Sequence, residues 1–76
     1  MLTLDKKQAL KLRDKLLHIS VVKIPTGGFG FEVLSDTGQV YALRRMESPL
    51  RLSFATVDGA MGTIRHLNFE KFTVRL

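Results

Sequence analysis

Seventy-six residues without a cysteine, carrying twelve Lys and Arg against seven Asp and Glu for a net charge of +5, make one small domain with neither disulfides nor thiolate-bound metal. A hydrophobic fraction of 45% beside 25% charged residues excludes a disordered tail, and no apolar run is long enough for a signal peptide or a membrane span. Small domains of oxidising compartments are ordinarily stapled by disulfides, so the expected localisation is cytoplasmic.

Thr3 is placed to cap a first helix, with Asp5 in the first turn facing the positive end of its dipole. Ala9, Leu10, Leu12, Leu16 and Leu17 share one apolar face, which carries the helix to Leu17. Lys7, Lys11 and Lys15 stack one turn apart on the opposite face. That stripe reads either as a solvated surface or as a rail for phosphates. From 19 to 24 the chain turns β-branched, and Pro25 ends the strand because it lacks a ladder donor. Gly27, Gly28 and Gly30 surround Phe29 in a glycine-rich connection, with Phe29 at its tip as a core or interface residue. A second strand spans 31–34. Ser35-Asp36-Thr37-Gly38 is a hairpin signal, with Asp36 expected to cap its own turn, and a third strand spans 40–43.

Residues 50–54 are readable two ways: Leu50, Leu52 and Phe54 alternate as in a strand, yet Ser53 is a good helix N-cap. The second helix is placed from Ser53, its core face formed by Phe54, Val57, Ala60, Met61, Ile64 and Leu67. Ala55, Gly59 and Gly62 lie away from Met61 and Ile64 and offer a smooth face for a second backbone, although each helical glycine costs about 1 kcal/mol relative to alanine. Asn68 stops the helix, and Phe72, Val74 and Leu76 alternate with Thr73 and Arg75 as a last strand. The expected fold is α+β, a single domain over 1–76 in the order α-β-β-β-α-β, with an antiparallel sheet and both helices on one face.

No catalytic signature is present. A dinucleotide fingerprint would need a glycine where Val33 stands and a helix after the loop. The two histidines, His18 and His66, have no ligand partner at helical spacing, so no metal is expected. Glu32, Asp36, Glu47, Asp58 and Glu70 are too scattered to suggest paired acid–base chemistry. The chain is therefore read as non-enzymatic, with no cofactor, small-molecule substrate or membrane contact. Its charge favours polyanions by attraction and counterion release. Lys7, Lys11, Lys15, Arg44, Arg45 and Arg51 are the candidate contacts, and Arg65 and Arg75 join a guanidinium patch if the hairpin end and the last strand share a side. The alternative is ordinary pairing of these arginines with Glu47, Asp58 and Glu70.

Residues 56–76 contain an apolar helix with Gly62-Thr63-Ile64-Arg65, then Leu67-Asn68-Phe69, then Phe72-Thr73-Val74-Arg75-Leu76. In this order the stretch resembles the ParC family of partition-associated proteins carried on bacterial plasmids. The resemblance implies a maintenance or regulatory role through DNA or a partition protein, without catalysis. It covers about a third of the chain, rests on packing residues and transfers no functional residue. The leading expectation is a DNA-associated accessory or regulatory factor of a plasmid or other mobile element. The alternative is a protein-interaction module, a homodimer or an inhibitor or adaptor of another protein, using Ala55, Gly59, Gly62 and Phe29.

Overall fold

The computed structural model describes residues 2–69 and 71–75. Its chain starts with a strand that the sequence did not announce, β1 (Leu2–Leu4), which seats Leu4 in the core. Thr3 belongs to that strand, so the cap of α1 (Lys6–Lys11) falls to Asp5. The Asp5 carboxylate accepts from the Gln8 amide at 2.7 Å and Gln8 Oε1 accepts from the Asp5 amide at 3.0 Å, a reciprocal capping box.

The helix ends at Lys11 and does not reach Leu17. Residues Arg13–Lys15 form a 3₁₀ turn, and β2 (Leu16–Lys23) opens at Leu16, not Ile19. Pairing with a distant strand overrides the local helical period here, because Leu16 sits opposite Ser35 and the Asp36 amide donates to Lys15 O at 2.7 Å. β3 (Phe29–Ser35) then runs antiparallel to β2, and β4 (Val40–Leu43) antiparallel to β3. Gly38, at φ +84°, turns the chain between them. Ser35, not Asp36, stabilises that turn by accepting from the Gln39 amide at 3.1 Å.

After β4 the chain folds back on itself. Residues 51–54 form no helix and carry isolated bridges at Arg44–Arg51 and Phe29–Phe54, so the segment sides with the strand-like reading, while Leu50 lies in the bend before it. Phe54 meets Phe31 edge-on with ring centroids 6.0 Å apart. α2 (Val57–His66) consequently starts later than expected, capped by Thr56 and not Ser53, with the Gly59 amide donating to Thr56 Oγ1 at 3.1 Å. Asn68 does stop this helix, at φ +57°, and the Asn68 and Phe69 amides close back onto Arg65 O and Ile64 O in a Schellman motif. β5 (Phe72–Arg75) completes the chain's regular structure.

Among the described residues the sheet has five strands in the order β1-β4-β3-β2-β5 and is mixed, not antiparallel throughout. β1 lies parallel to β4 and β5 parallel to β2, because a helix intervenes before each parallel partner is reached and allows the crossover. The element order is therefore β-α-β-β-β-α-β. Both helices do pack on one face, as the apolar patterns require. Ala9 of α1, Ala60 and Ile64 of α2 and its C-cap Leu67 join Leu4, Ile19, Val21, Phe31, Val33 and Leu43 in one core. The opposite face carries His18, Ser20, Glu32, Leu34 and Val40, and among the described residues both helices pack on the other side. No helix among the described residues is long and apolar enough to cross a membrane, and no cluster of three or more His, Asp or Glu is placed to hold a metal ion.

Candidate polyanion-binding surfaces

β1, β2, β4 and β5 point one way and β3 the other, which gives the molecule two poles. At the first, β2 and β5 begin and α2 ends. At the second, β2 and β4 end and β3 begins. The basic residues divide between these poles and the helix surface.

At the first pole Arg13, Arg65 and Lys71 come together from the 3₁₀ turn, α2 and the approach to β5. Arg13, Asp14, Leu16, Leu17, Asn68, Phe69 and Lys71 line a hollow of about 330 Å³, and a neighbouring one of about 440 Å³ shares Arg13, Asn68 and Phe69 and adds Arg65. The Schellman turn sets this arrangement: it projects Asn68 O, which accepts from Arg13 Nη2 at 2.6 Å and holds that guanidinium against the end of α2. Among the described residues, three cations thus line the two hollows with one carboxylate, Asp14. Glu70, a carboxylate the sequence offered as a partner, lies outside the described residues.

At the second pole Arg45 and Arg51 line a hollow of about 330 Å³ with Ile24, Thr26, Gly27, Leu50 and Ser53. None of these seven residues is acidic. Arg51 Nε and Nη2 are shielded from solvent and have no hydrogen-bond partner among the described residues.

The other expected contacts are spread out. Lys7 and Lys11 remain stacked and exposed on α1, but Lys15 has left the helix and lies by the β3–β4 turn beside Ser35, Asp36 and Thr37, so the rail shortens to two. Arg44 is committed within the fold, pairing with Asp5 at 3.6 Å and donating to Gln8 Oε1 at 3.3 Å. Arg75 reaches across β2 to Glu32, so it belongs to the uncovered sheet face and not to a patch with the hairpin arginines. Asp5 and Glu32 are thus the acidic partners among the described residues, in place of the expected Glu47 and Asp58.

The uncovered face holds a polar set that local spacing does not reveal. His18 Nε2 and Thr73 Oγ1 share a hydrogen bond of 2.6 Å, and the Glu32–Arg75 pair lies beside it over a groove of about 380 Å³. A hydroxyl on an imidazole is the beginning of a nucleophile–base pair, but no carboxylate among the described residues hydrogen-bonds the ring to orient it. Phe31 is fully buried and Tyr41 packs against the same core, so neither is presented for base stacking.

The candidate interface residues are also redistributed. Phe29 is the first residue of β3, half-buried against the core, and not a loop tip. Ala55 sits in an exposed bend before α2, which leaves Gly59 and Gly62 on the outer helix face. A Cβ on Gly59 would meet the Phe54 ring at 3.4 Å, whereas one on Gly62 would meet nothing within 4 Å.

Comparison with family models, curated proteins and solved structures gives no match to this chain.

Proposed function

We propose that this protein is a non-enzymatic binder of nucleic acid, gripping DNA by its phosphate backbone across the first pole, in the manner of an accessory or regulatory factor. The convergence of Arg13, Arg65 and Lys71 on one pair of hollows carries this reading. Cations drawn from sequence-distant segments give phosphates a common landing surface, and releasing counterions from DNA rewards each contact. The burial of Phe31 and the packing of half-buried Tyr41 against the core favour backbone contact over base readout. A place on a plasmid or other mobile element rests on the ParC likeness of residues 56–76 alone.

Fluorescence anisotropy with a labelled DNA duplex tests the reading. Three phosphate contacts give a slope of roughly −2.7 for log affinity against log salt. The double variant Arg65→Glu/Lys71→Glu should abolish binding while leaving Arg13 and its hydrogen bond in place. Binding that ignores both salt and charge reversal rejects the proposal.

A second reading, a protein-interaction module, draws on β5. It is an outer strand whose four residues are all exposed, with Phe72 at 40% and Val74 at 39%. Its free edge offers backbone groups to an added strand. A mass that stays monomeric at millimolar concentration counts against self-pairing through that edge.

A further inference from the structure

We infer that the hollow at the second pole is a binding site for a phosphate group, held by Arg45 and Arg51 with the hydroxyls of Thr26 and Ser53. It lies at the far end of the sheet from Arg13, Arg65 and Lys71 and stands independently of the reading proposed for them.

The site is assembled by two turns locked to each other. In the first, residues 24–28 close on themselves: the Gly27 amide donates to Ile24 O at 2.9 Å and the Ile24 amide to Gly28 O at 3.0 Å. In the second, the Arg45 amide donates to Leu50 O at 2.8 Å, which sets Arg45 and Arg51 on one hairpin. Paired backbone bonds of 2.8 Å between Phe29 and Phe54 hold the two turns together. The backbone at Thr26, Ser53 and both arginines is thereby fixed, and the four side chains line one hollow.

Arg51 is the decisive residue. Its Nε and Nη2 are packed out of solvent with no acceptor among the described residues, an unfavourable placement that fixes the guanidinium at the wall of the hollow and leaves Nη1 as its open donor. Arginine on an open surface extends its head into solvent, but here the guanidinium lies over Gly30 beside Ile24. A Cβ at Gly30 would stand 3.2 Å from Arg51 Nε and 2.8 Å from Ile24 Cδ1, so the bare backbone at that position makes room for both. No carboxylate among the described residues lines the hollow, so its two guanidinium groups are open to an anion from outside the fold.

The donor set selects the ligand's chemistry. Two guanidinium groups match the charge of a phosphate monoester, and two hydroxyls add donors in other directions. A tetrahedral anion presents oxygens to all four, whereas a planar carboxylate has only two oxygens to share. The hollow of about 330 Å³ admits the phosphate together with part of the group that bears it.

Titration of ¹⁵N-labelled protein with inorganic phosphate, followed by amide shifts, tests the site. Saturable shifts confined to Thr26, Gly27, Arg45, Arg51 and Ser53 are expected, with acetate binding at least tenfold more weakly. Arg45→Ala should weaken phosphate at least tenfold, and Arg51→Met should eliminate it while the protein stays folded. Should Arg51→Met not fold, Ser53→Ala together with Arg45→Ala carries the test. Two oligonucleotides, with and without a terminal phosphate, separate the sources: shifts with both mark a backbone phosphate, and shifts with the first alone mark a monoester. Shifts that do not saturate, that spread over both poles, or that survive Arg45→Ala overturn the site. Arg65→Glu/Lys71→Glu should leave phosphate binding here unchanged, so the two sites fail separately.

Discussion

Gly28 is where a single methyl group should do the most damage to the second pole. Its φ of +77° lies in the left-handed region, and a Cβ there would stand 2.8 Å from Phe54 O. Gly38 is a built-in control, because its φ is +84° yet a Cβ would meet nothing within 4 Å. Placing alanine in the left-handed region costs about 1–2 kcal/mol. Stiffening the unfolded chain returns about 0.4–1 kcal/mol of that. Gly38→Ala should therefore lose roughly 0.5–1 kcal/mol. At Gly28 a further cost arises, since Phe54 O already accepts from the Phe29 amide at 2.8 Å and cannot retreat without giving up that bond. A disrupted backbone hydrogen bond whose donor is left without a partner adds about 1–2 kcal/mol, bringing Gly28→Ala to roughly 1.5–3 kcal/mol. Urea unfolding of the two variants, with unchanged m-values, measures the difference directly. A gap below about 0.5 kcal/mol between them would show that the backbone of residues 53–54 does not pin the turn, since that is the scatter of independent sites.

Ile64, 1% exposed on the core face of α2, should cost about 2–5 kcal/mol as Ile64→Ala, read from urea midpoints. At the Schellman turn, Asn68→Gly should keep full stability while Asn68→Ala loses about 1 kcal/mol, because only the latter meets the left-handed penalty. Equal losses in thermal melts of the two would deny that turn its role. Glu32→Gln should cost no more than about 1 kcal/mol and less as salt is raised, since the pair with Arg75 is partly open to water. A salt-independent loss above that range would mean the pair supports the sheet in some other way.

The local half of this fold is legible in the residues. The position of the hairpin at 35–38, the Ala60 and Ile64 part of the α2 face and the halt at Asn68 depend on short-range periodicity and turn chemistry, and they stand where the pattern puts them, although Phe54 lies outside the helix and Ser35 replaces Asp36 in the turn. What the pattern could not show is pairing between distant segments. Leu16 and Leu17 satisfy a helical face, yet β3 offers them a ladder and captures them for β2. Leu2–Leu4 is too short to signal a strand, and only the β4 edge makes it one. The lysine rail shortened for the same reason, since Lys15 follows the strand and not the helix. For the candidate surfaces, the sequence named Arg45 and Arg51 but had no means of joining them to Thr26 and Ser53. Arg13 lies 55 positions from Asn68, the residue whose carbonyl it meets. The basic last turn of α2 was the one available hint of the first pole.

The placement of β1 and β5 on the two borders has a consequence for how the chain assembles. The β2–β3–β4 meander joins neighbours through short turns, whereas β5 closes a loop from Phe72 back to Ile19 and β1 one from Leu4 to Leu43. Closing long loops is slow, so the centre zips first and its flanks arrive late. Until β5 docks, the Ile19–Val22 row of β2 lies bare, a sticky template for the same segment of another molecule. The interval before that last strand lands is when a crowded solution of this protein is most at risk of entanglement.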